Sequence, residues 1–230
     1  AISGYEGSGR FADGADIDLV CRTMGYWAPY PGLQDEVLRS IAPPGFVMSN
    51  WMGYHKGTGD LLARYWRMVT LGFDSVWFWR WSNLGPYKKF ISYHGLINGA
   101  MVPFRAVKEM VADTQIVRDG LGTLLQQCRR EDDGIAMIYS FPSQFAIESG
   151  PGISYGDAKG HEMAPLKDRP NHDGKESLIV YEKNHISWHR SLRAAGLNFT
   201  YVTDRMLRLG EFETKNYKVL ILSQIEALGE

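Results

Sequence analysis

The chain has 230 residues, enough for one large or two ordinary domains, and its 44% hydrophobic and 22% charged residues are the balance of a folded globular protein. A formal net charge of -1 gives no footing for nucleic acid or an anionic membrane surface, and no apolar run reaches the length of a membrane span. Two cysteines, Cys21 and Cys128, make neither a disulfide framework nor a four-ligand zinc site, and no signal peptide is visible, which leaves the compartment open.

Residues 1–14 are rich in glycine, and Gly7-Ser8-Gly9-Arg10-Phe11-Ala12 formally matches the dinucleotide fingerprint G-x-G-x-x-A. That fingerprint needs a hydrophobic strand before it and a helix opening within it. Residues 1–6 make a poor strand, and Asp13-Gly14-Ala15-Asp16 presents no apolar helix face. The stretch reads as a loop carrying Glu6 after a strand end, and a nucleotide-binding α/β protein stays as a further reading that rests on this match alone. Ile17–Cys21 reads as a short apolar strand followed by an aromatic loop, Tyr26-Trp27-Ala28-Pro29-Tyr30-Pro31-Gly32. Gln34–Ile41 reads as a helix stopped by Pro43-Pro44-Gly45. Phe46–Ser49 reads as a strand running into Asn50-Trp51-Met52-Gly53-Tyr54-His55, and Asp60–Leu71 has the apolar spacing of a helix.

Residues 74–83, Asp-Ser-Val-Trp-Phe-Trp-Arg-Trp-Ser-Asn, hold three of the seven tryptophans. Val76–Trp81 reads as a strand, with Val76, Phe78 and Arg80 on one face and Trp77, Trp79 and Trp81 on the other. Such residues fill a barrel wall, or they bind sugar: indole stacks on apolar sugar faces and guanidinium donates to hydroxyls. A loop to Gly99 follows, then a helix from about Pro103 to Gln127 with a break near Gly120.

Residues 129–134 are a charged seam and read as a domain boundary. Ile135–Ser140 is a strand, 141–175 an irregular excursion, and Glu176–Ala195 a helix closed by Gly196. Asn198–Val202 and Tyr217–Leu222 are further strands. The whole is α/β. Residues 1–128 alternate strand and helix with aromatic loops on one side, as in a (β/α) barrel or a doubly wound sheet, and residues 129–230 form a second α/β domain with a parallel sheet.

The chain resembles the beta-galactosidases of glycoside hydrolase family 42. Residues 74–81 are similar to that family's final barrel strand, which ends in an Arg-Trp pair, here Arg80 and Trp81; Tyr93-His94-Gly95-Leu96-Ile97 is similar to the loop that follows. Ile135–Ser140 and Tyr217–Leu222 resemble two strands of its trimerisation domain. The resemblance implies the C-terminal part of a TIM (β/α)8 barrel in residues 1–128, then the start of a flavodoxin-like or Rossmann-like trimerisation domain in 129–230. It implies a piece of a longer, trimeric enzyme that hydrolyses glycosidic bonds in a carbohydrate substrate without a cofactor.

Family members use two glutamates, and the nucleophile ends the seventh strand. Asn50 stands at its place, and a neutral carboxamide cannot form the glycosyl-enzyme ester. Asn50 therefore also supports a second reading, a catalytically silent homologue that binds carbohydrate or only assembles. Glu6 is either a catalytic carboxylate or a solvated loop carboxylate beside Arg10. Trp27, Tyr30, Trp51, Trp79, Arg80, Trp81 and His94 are the expected sugar-binding residues. Asp16 and Asp18 are expected to bond neighbouring loops. His185 and His189, spaced i, i+4, are expected to be surface histidines rather than a metal pair, and no metal is expected.

Overall fold

The structure, a computed structural model, describes residues 16–29, 32–52, 60–78, 80–82, 95–98, 100–149, 174–213, 215–225 and 227–228. They divide into two compact units. The first takes in residues 20–130, and the second takes in residues 16–19 with those from 131 onward.

The first unit contains a parallel sheet of β1 (Tyr26–Trp27), β2 (Val47–Met52) and β3 (Ser75–Phe78), in the order β1-β2-β3. Helix α2 (Leu33–Ile41) joins β1 to β2, and α3 (Asp60–Thr70) joins β2 to β3. On α3, Leu61, Tyr65 and Met68 are buried at helical spacing, which explains why the periodicity of this segment was readable. Asp74 fastens the start of β3 to β2: its carboxylate accepts the Met48 N–H at 2.8 Å, and its own N–H donates to the Met48 carbonyl at 2.9 Å. Among the described residues these three strands form a sequential parallel sheet and no closed barrel.

Helix α4 (Arg105–Ile116) follows, and one π-helical turn (Val117–Leu121) leads into α5 (Gly122–Gln127). Gly120 has φ 136°, a left-handed conformation at the break expected there. The Trp66 indole N–H donates to the Asp113 carboxylate at 2.7 Å and ties α3 to α4.

The second unit contains β4 (Ile135–Tyr139), β5 (Thr200–Thr203) and β6 (Val219–Ile221), all parallel, in the order β5-β4-β6. Every residue of β4 is buried, as a central parallel strand requires. Helices α6 (Phe141–Ser149), α7 (Gly174–Ala194) and α8 (Asp204–Arg208) complete the described elements. Gly196, at φ 73°, ends α7: its N–H donates to the Arg193 carbonyl at 3.0 Å, and the Leu197 N–H donates to the Leu192 carbonyl at 2.9 Å. That pair of bonds is a Schellman cap.

Three expectations about elements are corrected. Ile17–Thr23 is helix α1, not a strand. Asp16 caps it by accepting the Leu19 N–H at 3.0 Å, and Ile17, Val20 and Cys21 are buried at i, i+3, i+4 while Leu19 is exposed. An apolar run of five residues carries too little periodicity to separate the two structures. The strand lies instead at Tyr26–Trp27, where a loop was expected. Residues 141–149 are a helix rather than irregular: Ser140 caps it by accepting the Ser143 N–H at 3.1 Å, and Pro142 falls in the first turn, where a missing N–H costs nothing.

Candidate functional site

In-register residues of a parallel sheet share a face. The pairing of β1, β2 and β3 puts Trp27, Met48, Asn50, Met52, Val76 and Phe78 on one face, and Tyr26, Val47, Ser49, Trp51, Ser75 and Trp77 on the other. Helices α2 and α3 meet the first face through one polar knot. Asp35, fully buried on α2, accepts the Asn50 Nδ2–H at 2.6 Å and the Gly32 N–H at 3.0 Å. Arg67 of α3 lies 3.4 Å from the same carboxylate and donates to the Gly32 carbonyl at 3.2 Å. Burial pushes the Asp35 carboxyl up to about 7, opposed by Arg67 and by the Gly32 N–H. The adjacent Glu36, also fully buried, meets Arg39 at 3.1 Å and Arg130 at 3.2 Å.

This arrangement decides how Asn50 is used. Its side chain is fully buried and turned toward α2, and its Oδ1 has no partner among the described residues. Trp27, expected in a loop, lies in β1 with its side chain buried on the same face. Asp35 and Arg67 were not singled out from the sequence. Asp35-Glu36 in the first turn of a helix is the pattern of a solvated N-terminus, and only tertiary structure shows that both carboxylates are buried.

The opposite face is aromatic and open. Trp77 is 50% exposed, in ring contact with Trp51 (centroids 6.1 Å) and Tyr26 (6.3 Å). Ser49 and Ser75 hydrogen-bond to each other at 2.9 Å beside them. Beyond β3 the chain carries Arg80, half-buried, and Trp81, 67% exposed. Their carbonyls accept the N–H groups of Leu96 and Ile97 at 2.9–3.1 Å, and Ser82 pairs with Ile97 in a parallel bridge, so 80–82 is held against 96–97. Arg80 Nε has no partner among the described residues. Glu6, Tyr30, Trp79 and His94 lie outside the described residues.

The second unit has its own charged cleft at the C-terminal ends of β4 and β5. Arg205 meets Asp16 at 2.5 Å, the Thr203 hydroxyl donates to Asp18, and the Phe141 N–H donates to Asp204 at 3.3 Å. Tyr139 completes the lining. Burial holds the Asp204 carboxyl above its ordinary range. Asp16 and Asp18 thus bond to neighbouring segments, though from a helix start rather than a strand.

The histidine pair divides. His189 packs on Phe199 at 5.2 Å, and His185 is fully buried among tyrosines, not at the surface as expected. Histidine at i+4 spacing on a long helix carries no sign of which member faces the core. Among the described residues no group of three or more histidine, cysteine or acidic side chains is placed to hold a metal ion.

No family model matches the sequence, and a search of curated proteins found no match. Solved structures do match. A beta-galactosidase from the psychrophilic Marinomonas ef1 aligns over 96% of this chain and 35% of its own, at 12% identity and a TM-score of 0.59. A cold-adapted beta-galactosidase from Rahnella sp. R3 aligns over 90% and 30%, at 15% identity and a TM-score of 0.59. The chain therefore spans about a third of the length of the enzymes it resembles, and the likeness is one of fold.

Proposed function

We propose that the chain is part of a beta-galactosidase-like glycoside hydrolase. In this reading residues 1–128 are the C-terminal portion of its (β/α) barrel, and residues 129–230 begin a trimerisation-type α/β domain of a longer, trimeric protein. One observation carries the proposal. The order β1-β2-β3 is sequential and parallel, with α2 and α3 both bonded at the Asn50 face, as in a barrel wall, and the same chain aligns with two beta-galactosidases. The sugar would meet the residues that follow β3. Trp81 offers an exposed indole for stacking, and the half-buried Arg80 beside it carries a guanidinium whose donors suit hydroxyls. Trp51, Trp79, Tyr30, His94 and Glu6 remain candidates, with Glu6 the candidate carboxylate.

A second reading is favoured by the state of Asn50. Its amide donates to a buried carboxylate and belongs to the packing of α2 on the sheet, so it supplies neither a nucleophile nor an exposed sugar ligand. The silent homologue, which binds carbohydrate without cleaving it, fits that observation. Galactose titration followed by tryptophan fluorescence, beside turnover of an aryl beta-galactoside, tests the carbohydrate reading that both share; a glutamate after a fourth barrel strand in the preceding part of the protein would separate the hydrolase from the silent homologue. Saturable binding, weakened by Trp81→Ala and without turnover, is the expected result. Turnover abolished by Glu6→Gln would establish Glu6 as catalytic, and no saturable binding would remove the carbohydrate reading.

A further inference from the structure

We propose that residues 223–225 and 227–228 form a strap across the C-terminal end of β4, and that the strap opens when His185 takes up a proton. The topology locates the place. Strand β4 comes first in its unit and has β5 on one side and β6 on the other, so the winding reverses beside it. Open parallel sheets take their ligands outside strand C-termini at such a reversal. Here the protein's own backbone lies there. The Ala227 carbonyl accepts from the hydroxyls of Ser140 at 2.8 Å and Ser143 at 2.6 Å, and the Ala227 N–H donates to Ser143 Oγ at 3.0 Å. Both serines are fully buried. At the other end of the strap, Asn184 Nδ2 donates to Gln224 Oε1 at 2.9 Å, and the neighbouring His185 ring lies against the Ser223 backbone.

His185 is fully buried in a box of rings: Tyr181 of its own helix at 4.4 Å between centroids, Tyr201 of β5 at 5.9 Å and Tyr139 of β4 at 6.4 Å. Gln144 of α6 stands behind, with the Tyr139 hydroxyl donating to it at 3.4 Å, and Asp204 acts on Tyr181 rather than on the imidazole. Among the described residues, then, the ring faces three tyrosines and the Ser223 backbone, and no carboxylate or cation acts on it. A neutral imidazole fits this box. An imidazolium does not, because it loses water and gains no counter-charge. Burial accordingly holds His185 down at about 4.

The proton can be accommodated by admitting water, and the strap is the least costly part to move. Among the described residues it is held at a few side-chain contacts; Ser223 beside His185 is buried, but Gln224, Ile225 and Ala227 are only partly buried and Leu228 is exposed, whereas β4 is buried throughout. If the open form titrates at the ordinary 6.5 and the closed form at about 4, the population of open strap should rise roughly 40-fold between about pH 6.5 and pH 4.5.

Hydrogen exchange read by mass spectrometry tests this on the intact chain, after correction for the intrinsic pH dependence of exchange. The amides of 223–228 should speed up by several tens-fold at the lower pH, ahead of the amides of 135–139. His185→Gln, which cannot titrate, should abolish the difference. If that variant does not fold, NMR titration of His185 in the unaltered chain must show a midpoint that coincides with the onset of strap exchange. Equal acceleration of strap and β4 would overturn the proposal, since His185 would then govern only global unfolding of the unit. A strap indifferent to pH, or one that responds equally in His185→Gln, would overturn it too.

Discussion

Replacing Asp35 by asparagine should remove a pH dependence that runs opposite to ordinary acid denaturation. The carboxyl is raised from 3.8 to about 7 by burial on α2. An unfolded chain releases this proton near 3.8, while the folded chain keeps it until about 7. Between those values the folded state holds more protons, so its stability is fully present below about pH 4 and falls as pH rises through 7. A difference of roughly 3 units, at about 1.36 kcal/mol each, makes the loss about 4 kcal/mol. In Asp35→Asn the Asn50 amide keeps an acceptor, but the new NH2 faces the Gly32 N–H and the Arg67 guanidinium, a pH-independent cost of about 1–3 kcal/mol. Urea unfolding followed by tryptophan fluorescence reports on the right unit, because all the tryptophans but Trp188 lie between residues 27 and 81. The advantage of the natural protein over the variant should shrink from about pH 4 to pH 8 and then level off. A constant difference, or an advantage that grows with pH, would refute the reasoning. It would mean that the attraction of Arg67 outweighs burial and that Asp35 is ionised throughout.

Other outcomes follow from the same geometry. Thr203→Val removes the cap that accepts the Met206 N–H at 3.1 Å and the donor that serves buried Asp18, and should cost about 2 kcal/mol in urea unfolding followed at Trp188. Met137→Ala, at a fully buried site in β4, should cost about 2–5 kcal/mol, seen as a lowered Tm of the second unit. Gly196→Ala places a Cβ at φ 73° in open space and should cost about 1 kcal/mol from backbone conformation alone, read by the loss of α7 circular dichroism on heating. Trp81→Ala should leave chemical stability within about 0.5 kcal/mol, since the indole is mostly exposed, while weakening galactose binding by about 1–3 kcal/mol in calorimetry.

The longer elements were legible because their signals are physical and local. The stripe of α3, the apolar run of β4 and the glycine after α7 all stand where the sequence placed them. The errors fell where two structures share one signal. Five apolar residues at Ile17 serve a strand or a helix equally, and the Asp16 cap that decides the matter is also a common loop residue. The glycines and prolines of 141–175 suggest an irregular stretch, although a helix tolerates Pro142 in its first turn. For the candidate site, strand parity separated Trp77 from Val76 and Phe78 correctly, but it could not say which face the helices cover. That choice rests on the bonds from Asp35 and Arg67, which join residues 15 and 35 positions apart in sequence.

The two strand orders also set when each sheet can form as the chain leaves the ribosome. In the first unit Ser49 waits only for Ser75, and Tyr26 only for Val47, so each pairing closes as soon as one helix has been made. In the second unit Ala136 must wait for Thr200, and Ile135 for Val219. Its central strand, apolar along its whole length, is therefore without both neighbours for most of its synthesis. The bonds from Asp16 and Asp18 to the β5–α8 corner span 189 and 185 residues. The earliest described segment is thus held in waiting until more than 180 further residues have emerged. Loop-closure entropy rises only slowly with such spans, so the penalty falls on time rather than on final stability. During that interval the exposed apolar surface of β4 is what a chaperone would find to hold.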